Sequence, residues 1–424
     1  GYYANSGDSS RISRYYDPET FSYVHLRDVW TPTGLFFDQL ATTAWWHRHD
    51  ERQIREDLTD AGNYRRREYD DIIDSVGIEP QFTSRFERHE LTYGLLALAE
   101  RTDNAYREFR SSSGVNPGGA VAYKPGNWRA NTTLTDGARY NTFAVYAQDL
   151  WQLTDRWSLL SGLRYTYVDW SFDVAESDTD DVTGGLRAGY RLSERQMLFA
   201  GVSKAFRAPN LSDLDGASDR GSSGTFAFGN PELDPEVSYT GEIGWRYHHG
   251  RDQLGVSLFY THIDDVIQRV YPAGGGAGTT ANGERAYLQG CELMWDVGLP
   301  LPDGCGNRLA LVGSLSLVDS QARVPQPDGS VLEEPISRAN RLYGLAGLRY
   351  EIDRNWWTRV QLRFHDAYDA DDIASDDATD VRFTIPGYAD GTVPGFGVVD
   401  VAAGWASDAG NRWVSLTLEN LGDK

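Results

Sequence analysis

The main pattern along the chain is an alternation of hydrophobic and polar residues with a period of two, which is typical of β-strands. The segment 358–365 shows it clearly. Its apolar positions are Val360, Leu362 and Phe364, and its polar positions are Arg359, Gln361, Arg363 and His365. Similar alternation recurs near 157–167, 238–247, 254–260 and 414–418. Each predicted strand therefore turns one face to an apolar medium and the other face to water.

The predicted strands run for about 9 to 15 residues, whereas strands of soluble proteins usually run for about 5 to 6. Their connections alternate between short and long. Tight joins are predicted at 31–34, 154–156, 193–195, 249–252, 353–355 and 408–411. Long polar connections are predicted at 49–68, 109–138, 208–235, 271–283, 322–337 and 367–393. Short periplasmic turns and long extracellular loops distinguish the two ends of bacterial outer-membrane barrels in the same way.

The predicted fold is therefore all-β, a transmembrane antiparallel β-barrel of about sixteen strands. The first strand is predicted near 21–30 and the last near 411–422. Aromatic residues lie near strand ends, where a girdle is expected at the membrane interfaces. They include Trp45, Trp46, Trp151, Trp157, Trp356 and Trp357. A soluble β protein with aromatic strand ends remains the alternative.

Composition narrows the class of protein further. The 424 residues include 24 Tyr, 13 Trp and 44 Gly, and the formal net charge is −22. Nucleic acid is not an expected partner, because a phosphate backbone requires a basic surface. No run approaches the roughly 18 apolar residues of a membrane helix. The start of the chain lacks a signal-peptide pattern, so we expect that any such peptide was removed or not included.

Cys291 and Cys305 are expected to flank a strand end and a turn. A disulfide in an oxidising compartment and two free thiols both remain possible, and neither cysteine has the spacing of a metal motif.

Two motifs flank one of the long connections. The residues are Phe206, Arg207, Ala208 and Pro209 before it, and Asn230, Pro231, Glu232 and Leu233 after it. This pair resembles TonB-dependent receptors, in which a strand ending in FRAP is followed by a long external loop and an NPEL-type start of the next strand. The segments 146–151 and 418–424 agree with the same family pattern.

The resemblance implies the outer membrane of a Gram-negative-type bacterium and a barrel of 22 strands with a plugged lumen. On that basis, residues 1–424 are a partial barrel that runs from strand 6 to strand 21. The plug, the first five strands and the last strand would then be missing, and we expect a cylinder with a gap rather than a forced closure. The implied partners are outer-membrane lipid, a small-molecule nutrient, and a TonB-type energy-coupling protein that acts through the missing plug.

The implied function is active uptake of a scarce nutrient. An iron–siderophore complex is the first candidate ligand, only because such ligands are frequent in this family. The alternatives are a haem, cobalamin or saccharide receptor of the same family, or a passive porin-like barrel. In haem receptors the two motifs flank a loop with a His ligand, but residues 210–229 contain no His. The candidate lumen or loop contacts are His47, His49, Arg129 and His365, together with the run Arg65, Arg66 and Arg67. The favoured alternative is a polar lumen residue for each His and solvated loop charge for each Arg.

No catalytic pattern is recognisable, so we predict neither an enzyme nor a cofactor. Residues 221–225 lack the spacing of a nucleophile elbow, and His89-Glu90 lacks the second His of a zinc motif. Acidic stretches at 173–181 and 369–380 are predicted in external loops. They could hold Ca²⁺, but neither forms an EF-hand loop, and solvated loop charge is the alternative. We predict no metal site.

Overall fold

The computed structural model describes most of the chain as β-strand. The described residues are 11–58, 63–110, 128–129, 135–215, 217–220, 225–270, 278–302, 307–325, 329–336, 339, 341–352, 355–367, 394–409 and 411–422. The elements are β1 (Arg11–Trp30), β2 (Gln39–Leu58), β3 (Tyr64–Phe86), β4 (His89–Arg110), β5 (Trp128–Arg129), β6 (Arg139–Gln152), β7 (Trp157–Phe172), β8 (Ala175–Ser193), β9 (Gln196–Arg207), α1 (Leu211–Leu214), β10 (Ala217–Arg220), β11 (Thr225–Phe228), β12 (Glu236–His249), β13 (Asp252–Asp264), β14 (Ile267–Val270), β15 (Gly278–Asn282), β16 (Arg285–Leu299), β17 (Arg308–Pro325), β18 (Val331–Glu334), β19 (Leu342–Ile352), β20 (Trp356–His365), β21 (Phe396–Ala406) and β22 (Trp413–Leu418).

One antiparallel sheet contains 18 of these strands. Sixteen of the 18 are the long strands that follow one another as a meander, and the short strands β5 and β18 pair beside β4 and β17. The predicted number of spanning strands is therefore confirmed. Among the described residues, β1 pairs only with β2 and β22 pairs only with β21. The cylinder has a gap between these two edges, as expected.

The two faces of the sheet differ as the alternation predicts. On β20, the apolar side chains of Val360 and Leu362 are 49 % and 41 % exposed on the outer face. On the inner face, Asp400 of β21 is only 3 % exposed and accepts two hydrogen bonds from Arg363, at 2.5 and 3.1 Å. An outward apolar band and an inward polar network are what a barrel in lipid requires.

The two ends of the sheet also differ. At one end the strands are joined by short connections, such as Glu194-Arg195 and Gly250-Arg251. Gly250 has a φ of +61°, which a glycine adopts without steric cost. At the other end lie the longer connections, including α1 and a small sheet of β10, β11, β15 and β14. By the rule for bacterial outer-membrane barrels, we assign the first end to the periplasm and the second to the outside of the cell. Most of the predicted loops at 109–138 and 367–393 lies outside the described residues.

Two stretches predicted as external loops are strands instead. Residues 49–58 belong to β2 and residues 64–68 to β3, and the two strands stay paired up to Leu58 and Tyr64. Similarly, residues 176–181 are part of β8, which follows a two-residue turn. Both predictions were wrong for one reason: a strand that extends beyond the lipid has polar residues on both faces, so its alternation disappears. The acidic stretch at 369–380 lies outside the described residues.

Exposed aromatic side chains mark the periplasmic end of the outer face, as the predicted girdle requires. Trp151, Trp157 and Trp356 are 39 %, 45 % and 58 % exposed. In the pair Trp45-Trp46, however, only Trp46 can face lipid, because neighbouring residues of a strand point in opposite directions.

Cys291 lies in the middle of β16 rather than at a strand end, and its thiol is free. Its proposed partner Cys305 lies outside the described residues. In the part of the chain that the structure describes, no helix is long and apolar enough to cross a membrane.

The face assignment predicts opposite effects for neighbouring positions on β20. Replacing Val360 with Arg places a charge in the apolar band, and we expect a loss of roughly 2–4 kcal/mol in barrel stability. The matched control is Gln361→Arg, on the lumen face, which should change stability little. Urea unfolding of the receptor in lipid vesicles measures both, and equal tolerance of the two substitutions would refute the assignment.

The orientation predicts which turns can be reached from outside the cell. An epitope inserted at Asp173-Val174, in the turn between β7 and β8, should bind antibody on intact cells. The same epitope at Gly250-Arg251 should bind only after the outer membrane is made permeable. The reverse pattern of labelling would show that the barrel is inserted upside down.

Candidate functional site at the external mouth of the lumen

The FRAP and NPEL motifs are joined by an ion-pair clasp at the ends of β9 and β12. Arg207 donates a hydrogen bond from Nε to Glu236 at 2.5 Å and another from its terminal nitrogen to Asp213 at 2.9 Å. Hydrogen bonding to Glu236, and secondarily to Asp213, raises the pKa of Arg207 further above its usual range. The guanidinium therefore holds both ends of the long connection and its helix together.

The helix α1 folds the connection back on itself. Asn210 and Asp213 form a reciprocal capping box, with bonds of 3.0 and 3.1 Å between each side chain and the other residue's backbone N–H. The backbone N–H of Asn230 then donates to the carbonyl of Asp213 at 2.9 Å. At Gly229, an added Cβ would lie 2.4 Å from the backbone of Leu214, so only glycine fits this close approach.

The folded connection packs inward over the lumen. Leu214 and Leu233 form a cluster with Val168 and Trp170 of β7, and all four are buried. Val168 and Trp170 lie on the same face of the sheet as the polar inner wall, because they alternate with the outward-facing Tyr167. The loop therefore lies across the external mouth rather than projecting away from it.

A second connection, between β13 and β16, joins this loop. Strand β11 of the first loop pairs in parallel with β15 of the second. The side chain of Asn282 donates to the carbonyls of Asp234 and Asp265, at 2.8 and 2.7 Å, and accepts from the N–H of Asp234 at 2.9 Å. Together the described parts of the two connections make one cap, which we call the mouth cap (208–215, 217–220, 225–235, 265–270 and 278–284).

The residues of the FRAP and NPEL motifs thus help to build this cap. Phe206 pairs with Val237 across the strands, Ala208 packs on the buried cluster, and Pro209 is fully buried. The side chain of Asn230 accepts from the N–H of Glu232 at 2.9 Å, which fixes the turn around Pro231. Any direct contact between these residues and a ligand stays a prediction.

The sequence prediction missed Asp213 and Glu236 as partners of Arg207. For Asp213 the sequence did contain a signal, because Asn210 and Asp213 have the spacing of a capping box.

The predicted contacts His47 and His49 lie on the inner face of β2. The ring of His47 is 5.5 Å from Phe21 and 6.4 Å from Tyr23, both on the inner face of β1. His365 lies on β20, far away in the strand order, with its ring 4.0 Å from that of Phe396. The structure therefore does not bring the three histidines together.

The basic candidates are engaged with acidic neighbours. Arg65 pairs with Asp57 at 2.7 Å, Arg66 with Glu68 at 2.9 Å, and Arg67 with the same Asp57. Their charges are largely neutralised within β2 and β3, which counts against the run as an anion site. Arg129 lies in β5 with its backbone opposite Tyr106, and its side chain is outside the described part of the structure.

These features define a class: an outer-membrane barrel with a polar lumen and an ordered cap of external loops. The sequence profile of the TonB-dependent receptor-like β-barrel matches residues 1–421. The chain therefore belongs to that family, whose members are proteins of the Gram-negative outer membrane.

Individual relatives match over shorter lengths. The pesticin receptor of Yersinia enterocolitica is 26 % identical over 164 residues, which are 36 % of this chain and 23 % of that receptor. The ferric enterobactin receptor of Pseudomonas aeruginosa is 28 % identical over 215 residues, 46 % of this chain and 27 % of the relative. The solved structure of the copper transporter OprC shares the fold with a TM-score of 0.68 at 17 % identity, covering 99 % of this chain and 61 % of that one. The matches thus span less than two thirds of the length of each of these relatives.

The clasp predicts that Arg207 controls the order of the mouth cap. Arg207→Ala should lower the free energy of local opening of 208–235 by about 1 kcal/mol, because the ion pairs are partly exposed to solvent. Hydrogen exchange in that segment should then be roughly fivefold faster. Arg195→Ala, at a periplasmic turn, is the control. Unchanged exchange in Arg207→Ala would show that the packing of Leu214 and Leu233 is sufficient.

Proposed function

We propose that the intact protein is a receptor for TonB-dependent active uptake of a scarce nutrient, with an iron–siderophore complex as its ligand. The observation that carries the proposal is the ordered mouth cap over a polar lumen in a chain of this family. A passive pore needs an open mouth, whereas a receptor needs a surface that binds before anything passes. Two matched relatives are named as receptors, one of them for ferric enterobactin, which supports this ligand class.

The polar lumen wall fits a role in transport rather than in catalysis. Arg308 bridges Asp252 and Asp296 at 2.9 Å each, and Arg349 adds a bond of 2.7 Å to Asp296. Such paired charges give a hydrated interior without a concentrated field of one sign. We see their role as lining the route of a hydrophilic ligand.

The energy-coupling protein would act through a plug region outside these 424 residues. The outer edges of β1 and β22 have no partner among the described residues, which supports the larger barrel that this arrangement needs, because an open strand edge is unstable in hydrocarbon. We propose that further strands of the intact receptor pair with both edges, and that the plug occupies the lumen which they complete.

The proposal predicts uptake that depends on energy coupling. In iron-starved cells that lack other siderophore receptors, expression of the intact protein should restore accumulation of radioactive iron supplied as ferric enterobactin or related chelates. Deleting the TonB-type protein should abolish accumulation but leave binding to the cell surface intact.

The matched control supplies the same iron to cells without the receptor. Accumulation that continues without the energy-coupling protein would indicate a passive pore. Binding of cobalamin or a saccharide in place of every iron chelate would reject the proposed ligand class.

A further inference from the structure

Three metal-ligating side chains converge on the inner wall of β1 and β2. They are Glu19, His49 and Glu51, whose ligand atoms all lie within 4.8 Å of one another. We propose that this group is a binding site for a divalent transition-metal ion, which we call the wall site. This proposal goes beyond the proposed uptake function. Metal binding at the wall site does not require transport, so it can be measured in a receptor that is not transporting.

The strand register brings the group together. Glu19 lies directly opposite Glu51 in the antiparallel pair, and His49 is two residues from Glu51 on the same face of β2. The pairing of β1 with β2 runs without a shift from Glu19 to Trp30, so Glu19 lies in the same register as the membrane-spanning part of the strand. The three ligands are therefore held on two paired strands, which gives a more rigid arrangement than a loop would.

The charge at this level of the wall favours a bound cation. Glu51 is opposite Glu19 on one side and Asp71 of β3 on the other, so three strands place carboxylates side by side. Like charges directly opposite one another destabilise a sheet.

Protein donors do not satisfy the three side chains. Within the described part of the chain, the side chains of Glu19, His49 and Glu51 make no hydrogen bond or ion pair with one another or with other residues. By contrast, Arg48 pairs with Asp74 at 2.8 Å, and Arg52 pairs with Asp70, on the outer face of the same strands. The neighbouring charges are thus neutralised while the wall site keeps its acceptors available.

The donor set indicates the kind of metal. One imidazole with two carboxylates suits Zn²⁺, Fe²⁺ or Mn²⁺, whereas Ca²⁺ prefers oxygen ligands alone. Three protein ligands also leave coordination positions open for water or for a donor atom of an incoming molecule.

The location connects the wall site to the external mouth. The outward ion pair of Arg48 and Asp74 marks the upper limit of the apolar band, and Glu51 lies beyond it. Phe21 separates the wall site from Tyr23 and His47, with ring distances of 6.4 Å to His49 and 5.9 Å to Tyr23. A molecule that enters from outside therefore meets the metal ligands before the membrane-spanning lumen.

The experiment titrates the intact, purified receptor with ZnCl₂ by calorimetry in detergent. We expect one site per receptor, with affinity reduced at least about tenfold in Glu51→Gln and in His49→Asn, since even changes to groups that only support a ligand have effects of that size. His365→Asn, at the external end of β20, is the matched control and should retain the affinity of the unchanged receptor. Each variant is first shown to fold by its heat-modifiable migration on gels.

A spectroscopic arm tests the ligands directly. With Cu²⁺ as the probe, the electron paramagnetic resonance spectrum should show coupling to one imidazole nitrogen, which His49→Asn removes and His365→Asn preserves. The proposal is overturned if Zn²⁺ does not bind, if Glu51→Gln and His49→Asn retain full affinity, or if the control loses as much affinity as they do. Iron-chelate uptake is assayed separately, so failure of the proposed transport function would leave this result unaffected.

Discussion

The membrane-spanning sheet of this protein depends on one constraint: in hydrocarbon, each backbone N–H and C=O must find its partner within the protein. A continuous antiparallel sheet meets this constraint for all interior strands, and each long strand of the meander between β1 and β22 is paired on both sides. One face of the sheet must then contact lipid, and the other face must contact water. That requirement explains why Val360 faces outward while Asp400, on the neighbouring strand, is buried against Arg363.

The same constraint explains what the sequence could predict. Where a strand crosses lipid, its outer positions must be apolar. Apolar and polar residues therefore alternate with a period of two in segments such as 358–365. The number of spanning strands, their direction and the short periplasmic turns all follow from that signal. Above the lipid the constraint is absent, because water solvates both faces. The extensions of β2 and β3 therefore read as loops, although they remain paired strands.

The mouth cap was only partly predictable for a different reason. The FRAP and NPEL motifs identified its two ends, and the capping-box spacing of Asn210 and Asp213 was also present in the sequence. The inward fold, however, depends on contacts between Leu214 or Leu233 and β7, which lies far away along the chain. The parallel pairing of β11 with β15 links two separate loops, and local sequence carries no signal for it. Long-range contacts of this kind are visible only in three dimensions.

The wall site shows how register can create chemistry that no motif contains. Glu19 and the pair His49 and Glu51 are about 30 positions apart in the sequence, outside any ligand spacing used to recognise metal motifs. A shift of one residue in the pairing of β1 with β2 would turn Glu19 to the opposite face. The apolar outer residues Val24 and Leu26 oppose such a shift, because it would move them into the lumen. The lipid-facing pattern that anchors the barrel therefore also holds the metal ligands in register, and binding chemistry at the mouth depends on packing within the membrane.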